Sequence, residues 1–352
     1  MRRTVLLLFF VLLCRAHGAD EYDYSAIDLH VEATPSNAAA SAEGLAAYLV
    51  KPAKNDREKV RAIYYWIARN IVYDAKALTD FLYNGLPASK LSSDAESVLR
   101  NRKGVCGEMA NLFNVMARSA GLQSEFVLGW ARGFNSIYGK AAESKFGSKP
   151  NHAWNRVMID GRWRLLDLAA TVGWGGKMEM SPNYLNKSKV TAEDLLKDLS
   201  SGKIKYTPEI RTHFFLTPPE IFIETHLPVD KQWQLLDEPL SKDEFEEKAF
   251  LMPPYFANGL ELLGPKEFHV KTVRAFDITV KNPRMMPVYA AGFYNDNYAD
   301  YSVFMPKISG DTVTIKCEFR KKGPYKLFVF TQNAKFSGGQ PEAAIMYLVT
   351  VK

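Results

Sequence analysis

The sequence of 352 residues predicts an α+β domain followed by a C-terminal β-sandwich. Apolar residues recur at helical spacing in the first third of the chain, and alternating patterns around a tight turn follow them. Helices that precede strands favour an α+β domain over a parallel α/β domain. From about residue 246, short strand patterns are separated by Pro, Gly and Asn, as in an immunoglobulin-like β-sandwich. We therefore assign residues 20–245 to the first domain and residues 246–352 to the second.

The N-terminal residues have the build of a secretory signal peptide. MRRTVLLLFFVLLCRAHGAD places two arginines before an apolar run and then small residues, so we predict a signal peptide at residues 1–19. The run is too short to span a bilayer comfortably. Cys14 raises the alternative of a lipidated bacterial protein, but Leu13 stands where such signals have a small residue. We expect a secreted or periplasmic protein with no membrane span.

The charge balance argues against a nucleic-acid partner. The formal net charge is +6, and removal of Arg2, Arg3 and Arg15 with the signal peptide would lower it to +3. The mature chain has no Lys/Arg run with interleaved aromatic residues, which is the pattern expected of a nucleic-acid-binding surface.

Three segments before residue 123 are predicted to be helices. In residues 56–74, the apolar positions at helical spacing are Val60, Ile63, Tyr64, Ile67 and Ile71. A short helix follows, with Asp94 as its cap. The third segment is KGVCGEMANLFNVMARSAGL, residues 103–122, and its apolar stripe is Met109, Leu112, Phe113 and Met116. We predict that this helix begins at or next to Cys106 and ends at Gly121.

The mature chain contains two cysteines, Cys106 and Cys317, and several roles are open to the first. Cys106 can be a small buried side chain, half of a disulfide, a metal ligand or a nucleophile. A disulfide to Cys317 is a fair alternative in an exported protein. Cys317, however, alternates with polar residues in TVTIKCEFR and reads as an inward position of a strand. No second cysteine or histidine at ligand spacing accompanies Cys106, which disfavours a metal site.

A hairpin brings a histidine and a carboxylate together. HAWNRVMIDGRWRLLDLAA reads as two strands around an Asp-Gly turn at residues 160–161. That turn sets Trp154 opposite Asp167 and His152 opposite Ala169, so His152 and Asp167 are diagonal neighbours on one face. Their backbones are expected about 7 to 8 Å apart, and an imidazole can reach a carboxylate across that gap.

These residues fit a cysteine nucleophile with its base. Asp167 would fix the tautomer of His152 and favour the imidazolium, which leaves the other ring nitrogen for a thiol. A helix N-terminus next to a protonated histidine favours the thiolate of Cys106. Gly104 and Gly107 leave room for a substrate acyl group, and Trp154 is expected in the substrate groove.

The same residues resemble a known family. GVC at the start of a helix, followed by NHAWNRVMIDGRWRLLDLAAT, resembles the transglutaminase-like superfamily in order and in spacing. HFFLTPPEIFIETHLPVDKQWQLL resembles the segment that follows the catalytic core in the kyphoscoliosis-peptidase-like branch and its bacterial relatives. The resemblance covers residues 57 to 237.

The resemblance implies a papain-like, transglutaminase-like core with Cys106 as nucleophile, His152 as general base and acid, and Asp167 as the orienting carboxylate. It implies attack on a peptide or carboxamide carbonyl, a thioester intermediate, and release to water or to an amine. The backbone N–H of Cys106 would serve as one oxyanion donor. We expect no metal and no other cofactor, since the calcium sites of animal transglutaminases have no visible equivalent.

Two functions remain open from the sequence. The first is an exported cysteine peptidase or transamidase that acts on protein or peptide amides, with the C-terminal domain binding a partner protein or a cell-envelope component. The second is an inactive binding or scaffold protein. The departures from the family pattern at Gly107-Glu108 and at residues 168–171 support the second.

Overall fold

The computed structural model describes residues 22–83, 94–133, 146–174, 176–179, 191–208, 210, 212–332 and 341–352. The predicted signal peptide, residues 1–19, lies outside these ranges. In the described part of the chain, helices dominate the first half and strands the second. The predicted fold class, an α+β core followed by a β-sandwich, is confirmed.

The helices begin at capped positions and bury one face. Asn55 and Asp94 accept hydrogen bonds of 2.9 Å from the backbone N–H groups of Glu58 and Ser97. The α-helices of the described residues are Ser25–Glu32 (α1), Ala42–Leu49 (α2), Asp56–Asn70 (α3), Ala75–Tyr83 (α4), Ala95–Asn101 (α5), Cys106–Ser119 (α6), Leu168–Trp174 (α7), Ala192–Ser200 (α8), Pro219–Phe222 (α9), Lys242–Glu247 (α10) and Pro253–Ala257 (α11). Short 3-10 helices span Ser36–Ala40, Thr212–Phe214 and Lys231–Gln234.

A mixed helix and sheet core supports the Cys106 helix. The strands of the first half are Val72–Tyr73 (β1), Lys103–Gly104 (β2), Ser124–Ala131 (β3), His152–Ile159 (β4), Arg162–Leu166 (β5), Gly176–Glu179 (β6), Lys205–Pro208 (β7), Phe215–Thr217 (β8) and His226–Pro228 (β9). In the described residues the main sheet has the order β8-β5-β4-β3-β9, and β1 pairs with β2 and β6 with β7 outside it. The apolar stripe of α6 is buried in one core with Val157 and Leu166 of the hairpin, so the first turn of α6 is held against the sheet.

The hairpin register matches the sequence prediction up to the end of β5. Asp160 and Gly161 form the turn with positive φ values of 50° and 73°, and Asn155 pairs with Leu166. The predicted pairings of Trp154 with Asp167 and of His152 with Ala169 do not form, because β5 ends at Leu166 and α7 begins at Leu168.

The second half is a β-sandwich of two sheets. Its strands are Phe250–Leu251 (β10), Glu261–Gly264 (β11), His269–Thr272 (β12), Ala275–Lys281 (β13), Val288–Tyr294 (β14), Tyr301–Phe304 (β15), Pro306–Ser309 (β16), Thr312–Glu318 (β17), Gly323–Gln332 (β18) and Pro341–Val351 (β19). One sheet has the order β10-β19-β18-β14-β15 with β12 beside β19, and the other has the order β11-β13-β17-β16. Cys317 lies on the inner face of β17 beside Ile315, as its alternation with polar residues predicts. Both Cys106 and Cys317 are free thiols, so the alternative of a disulfide between them is wrong.

Arg132 joins the two halves. Its guanidinium donates to the carbonyl oxygens of Phe245 and Lys248 and lies over the rings of Phe245 and Phe268. The helix α10, Lys242–Glu247, spans the predicted boundary at residue 246. Within the described ranges, every helix is too short or too polar to span a bilayer.

Candidate active site

Cys106 is the first residue of α6, where the chain turns from an extended segment into the helix. Val105 precedes it with φ −91° and ψ 179°, and the N–H of Val105 donates to Oε2 of Glu108 at 2.8 Å. The buried stripe of the helix fixes its axis, while Cys106 itself stays half-buried. The structure therefore presents this sulfur at the positive end of a helix dipole.

His152 contacts Asp167 directly and interacts with Cys106 through charge. Nε2 of His152 lies 2.5 Å from Oδ2 of Asp167, and the charges of Asp167 and Cys106 both raise the pKa of the imidazole. Because Nε2 is committed to the carboxylate, Nδ1 is the ring nitrogen left for another partner. The structure thus pairs His152 with Asp167 and places Cys106 within electrostatic range of that pair.

Asp167 is buried and fully hydrogen-bonded. Its Oδ1 caps α7 by accepting from the N–H of Ala170 at 2.8 Å, and its own N–H donates to the carbonyl of Phe214 at 2.9 Å. This cap explains why β5 stops one residue before Asp167. The second oxygen, Oδ2, remains free to face the histidines.

A second histidine, His226, binds the same carboxylate oxygen. Its Nε2 lies 2.9 Å from Oδ2 of Asp167, and its Nδ1 lies 2.7 Å from Oγ1 of Thr225. His226 begins β9 and is 1% exposed. Sequence reasoning missed this residue, since it lies 59 positions beyond Asp167 and no short spacing connects it to the other three. The only signal was its place in the ETHLP portion of a segment that already resembled the family.

The charges of the site stabilise one another. Burial raises the pKa of Asp167, but the charge on His152 and the hydrogen bonds from both histidines lower it further, so Asp167 is ionised. Burial lowers the pKa of His152, but the charges of Asp167 and Cys106 and the hydrogen bond to Asp167 hold it well above its usual range. Burial keeps the pKa of His226 below its usual range, so this imidazole is neutral.

Trp154 and Gly107, the two predicted substrate-binding residues, differ in their surroundings. Trp154 is 1% exposed and packs edge-on against His226 and beside Phe222. The space at Gly107 is open, because a Cβ there would meet only the ring of Phe126 at 3.8 Å. Phe126, an exposed aromatic residue of β3, is thus the ring that borders the Cys106 turn.

The cluster of His152, Asp167 and His226 has the side chains of a metal site but the spacing of a hydrogen-bond network. One ligand atom from each lies within 4.8 Å of the others. Two ligands on a tetrahedral zinc, each about 2.0 to 2.1 Å from the metal, are roughly 3.3 Å apart. The observed separations of 2.5 and 2.9 Å are shorter and match charge-assisted hydrogen bonds.

Comparison with known proteins identifies the family. A profile of the transglutaminase-like superfamily matches residues 43–168, and a profile of the KY-like, immunoglobulin-like domain matches residues 242–352. The chain belongs to the transglutaminase-like superfamily. Its transglutaminase-like domain carries Cys106, His152 and Asp167, whereas His226 lies between the two matched regions.

Curated relatives support this family and point to its kyphoscoliosis-peptidase branch. The chain is 30% identical to kyphoscoliosis peptidase of Mus musculus over 229 residues, which is 65% of this chain and 29% of the relative. It is 30% identical to the Homo sapiens protein over 245 residues, or 70% and 32%. The Lim and transglutaminase domain protein of Caenorhabditis elegans is 26% identical over 90% of this chain and 42% of its own length. The chain thus spans less than half the length of these relatives.

Among solved structures, a transglutaminase crystal structure is similar over 49% of this chain and 38% of its own, with 20% identity and a TM-score of 0.29. A putative cysteine protease from Cytophaga hutchinsonii is similar over 54% of both chains, with 18% identity and a TM-score of 0.27.

Proposed function

We propose that the protein is a cysteine acyl-transfer enzyme in which Cys106 is the nucleophile, His152 the base and acid, and Asp167 the orienting carboxylate. The observation that carries this proposal is the 2.5 Å contact between His152 and the buried Asp167, together with the electrostatic interaction of His152 with Cys106 at the start of α6. The substrate class is a protein or peptide amide, which agrees with the word peptidase in the names of the mouse and human relatives.

The first half of the reaction forms a thioester. The Cys106 thiolate attacks the amide carbonyl carbon, an S–C bond forms, and the carbonyl π electrons move to oxygen. The backbone N–H of Cys106 at the helix N-terminus stabilises that oxyanion. The oxyanion then collapses and the C–N bond breaks. The His152 imidazolium gives its proton to the departing amine.

The second half releases the acyl group. Neutral His152 takes a proton from water while the water oxygen attacks the thioester carbon, and the C–S bond breaks to return the Cys106 thiolate. An amine in place of water would give a new amide by the same steps. We favour hydrolysis as the outcome, because the sequence shows no feature of a second substrate site.

A non-catalytic scaffold is the second candidate, and Glu108 favours it. This carboxylate lies in the first turn of α6, two residues from Cys106. Its negative charge opposes a thiolate at Cys106.

An activated acyl probe separates the two candidates. We expect the probe to add its acyl mass to the native protein through a thioester that hydroxylamine cleaves, and Cys106→Ala to abolish the adduct. Cys317→Ala is the matched control and should keep it. The scaffold is supported instead if the native protein acquires no adduct, or if Cys106→Ala acquires the same one.

We also propose that the protein is exported and that its immunoglobulin-like domain binds a partner protein or a cell-envelope component. The support for export is the arrangement of residues 1–19. N-terminal sequencing of the mature protein tests it, since a chain that still begins at Met1 would contradict cleavage.

A further inference from the structure

His226 and His152 share one oxygen of Asp167. The carboxylate is ionised and can only accept hydrogen bonds, so Nε2 of His226 must carry the proton in the 2.9 Å contact. A neutral imidazole has an acceptor at Nδ1, which lies 2.7 Å from the Thr225 hydroxyl, and that hydroxyl is also 3.3 Å from the Phe222 carbonyl oxygen. The tautomer of His226 is thus set by Asp167.

The ring of His226 is also held by aromatic neighbours. It stacks on Phe222 with ring centroids 4.2 Å apart, and Trp154 and Phe214 meet it edge-on at 5.1 and 5.4 Å. The titratable groups that interact with it are Asp167, His152 and, more weakly, His213. A ring held this firmly can restrain its partner.

The restraint falls on the carboxylate group that orients His152. The Ala170 N–H fixes Oδ1 of Asp167 in the cap of α7, and His226 fixes Oδ2. Together they prevent rotation of the carboxylate about its Cβ–Cγ bond, so Oδ2 stays 2.5 Å from Nε2 of His152.

We propose that His226 is a positioning residue for the His152–Asp167 pair. The inference rests on the proposed Cys106 chemistry and adds that the segment with β9, beyond the matched transglutaminase-like region, completes the site. His226 does not reach the reacting atoms; it acts through Asp167 on the direction and basicity of His152.

The variants His226→Leu and His226→Gln test this role. Leucine removes the donor, whereas the glutamine amide can place an N–H near the position of Nε2. We expect His226→Leu to slow acylation of Cys106 by about 10- to 100-fold, the range found for groups that orient metal-binding side chains, and His226→Gln to recover most of the rate. His30→Leu removes a histidine that hydrogen-bonds the Tyr48 carbonyl and stacks on its ring, and this variant should react like the native protein.

An NMR titration of His152 in the Cys106→Ala background gives a readout that needs no activity. A positioning role predicts that His226→Leu lowers the pKa of His152 towards the free value of about 6.5, because Asp167 is no longer held against it, and that His226→Gln leaves it raised. If His226 merely competed for Oδ2, its removal would raise the pKa of His152 instead.

The outcomes separate the two proposals. An unchanged or raised His152 pKa in His226→Leu, or an equal loss of rate in both His226 variants, overturns the positioning role. If the native protein forms no acyl adduct while the titration still shifts as expected, the proposed function fails and the positioning role stands. Should His226→Leu not fold, Thr225→Val keeps the ring but removes the hydroxyl beside Nδ1. If His226 is a positioning residue, Thr225→Val must lower the pKa of His152. An unchanged pKa in this variant would overturn the proposal.

Discussion

The two cysteines of the described chain occupy opposite kinds of environment. Cys106 starts a helix, is half-buried and lies within electrostatic range of His152. Cys317 lies within a strand, is 0% exposed, and its sulfur is 3.8 Å from the Ile315 carbonyl oxygen. Burial raises the pKa of the Cys317 thiol to about 12. The same side chain is therefore a packing residue in the sandwich and a candidate nucleophile in the α+β core.

The difference lies in what surrounds the sulfur and not in exposure alone. Cys106 lies at a helix N-terminus and near the imidazole of His152, two features that favour a thiolate in general. A thiolate at Cys317 would face the apolar interior of two sheets, and the charge of Asp277 would oppose it. The contributions of the two thiols, of Asp167 and of Glu108 can each be tested.

The largest expected effect is the contrast in alkylation between the two thiols. At pH 7 a thiol with a pKa of about 12 is roughly 10⁻⁵ thiolate, so Cys317 should not react with iodoacetamide in the folded protein. Cys106, at a helix N-terminus and near His152, should react many times faster. Peptide mass mapping after timed labelling measures both rates.

Unfolding in denaturant is the internal control, since both cysteines should then react alike. The contrast is refuted if Cys106 and Cys317 react at equal rates in the folded protein, or if His152→Ala leaves the labelling rate of Cys106 unchanged.

The next effect concerns Asp167. Asp167→Asn removes the charge that holds the His152 imidazolium and can select the wrong tautomer, so we expect acylation of Cys106 to fall about 10³- to 10⁴-fold, as in other sites with an orienting aspartate. The measurement is the rate of adduct formation with the acyl probe. Asp160→Asn is the matched control, because Asp160 is exposed in the hairpin turn at a positive φ that asparagine tolerates.

Asp167→Asn should also flatten the pH dependence of stability. The folded pKa of His152 is raised, so its contribution to the free energy of unfolding is complete below about pH 6.5 and is lost as pH rises through the folded value. The folded pKa of Asp167 is lowered, so its contribution is present above about pH 3.9 and is lost in acid. Denaturant unfolding from pH 3 to 9 should show both slopes in Asp160→Asn, and their persistence in Asp167→Asn would contradict the assignment.

Local patterns in the sequence predicted the parts of the site that depend on short-range geometry. The Asp-Gly turn set the register of β4 and β5, and the apolar stripe set the start of α6 at Cys106. The predicted pairing of Trp154 with Asp167 does not form, because the Asp167 carboxylate caps α7. Local hydrogen bonds from a side chain to the backbone compete with extension of a strand. The predicted contact between His152 and Asp167 does form, because the two side chains meet beyond the end of β5.

The parts that the sequence did not predict depend on long-range packing. His226 reaches Asp167 only because β9 pairs with β3 at the edge of the sheet, and no periodicity encodes that pairing. The ring contacts of Trp154 depend in the same way on distant residues, Phe222 of α9 and His226 of β9. The N-terminal helices likewise depend on long-range packing. Leu45 and Leu49 are buried in the same core as the apolar stripe of α6, and the Ala-rich sequence around them does not predict this contact.

The smallest expected effect tests Glu108, the residue that argues for a scaffold. Glu108→Gln keeps an acceptor for the Val105 N–H, since glutamine also serves at this capping position, but removes a negative charge near the sulfur. Two charges about 4 Å apart interact by about 1 kcal/mol with water-like screening, so Cys106 alkylation at low pH should rise by about fivefold or less. Glu43→Gln, the same change in the exposed first turn of α2, should leave the rate unchanged. A slower reaction in Glu108→Gln would show that the carboxylate favours the reaction of Cys106. The negative charge of Glu108 would then no longer argue for an inactive scaffold.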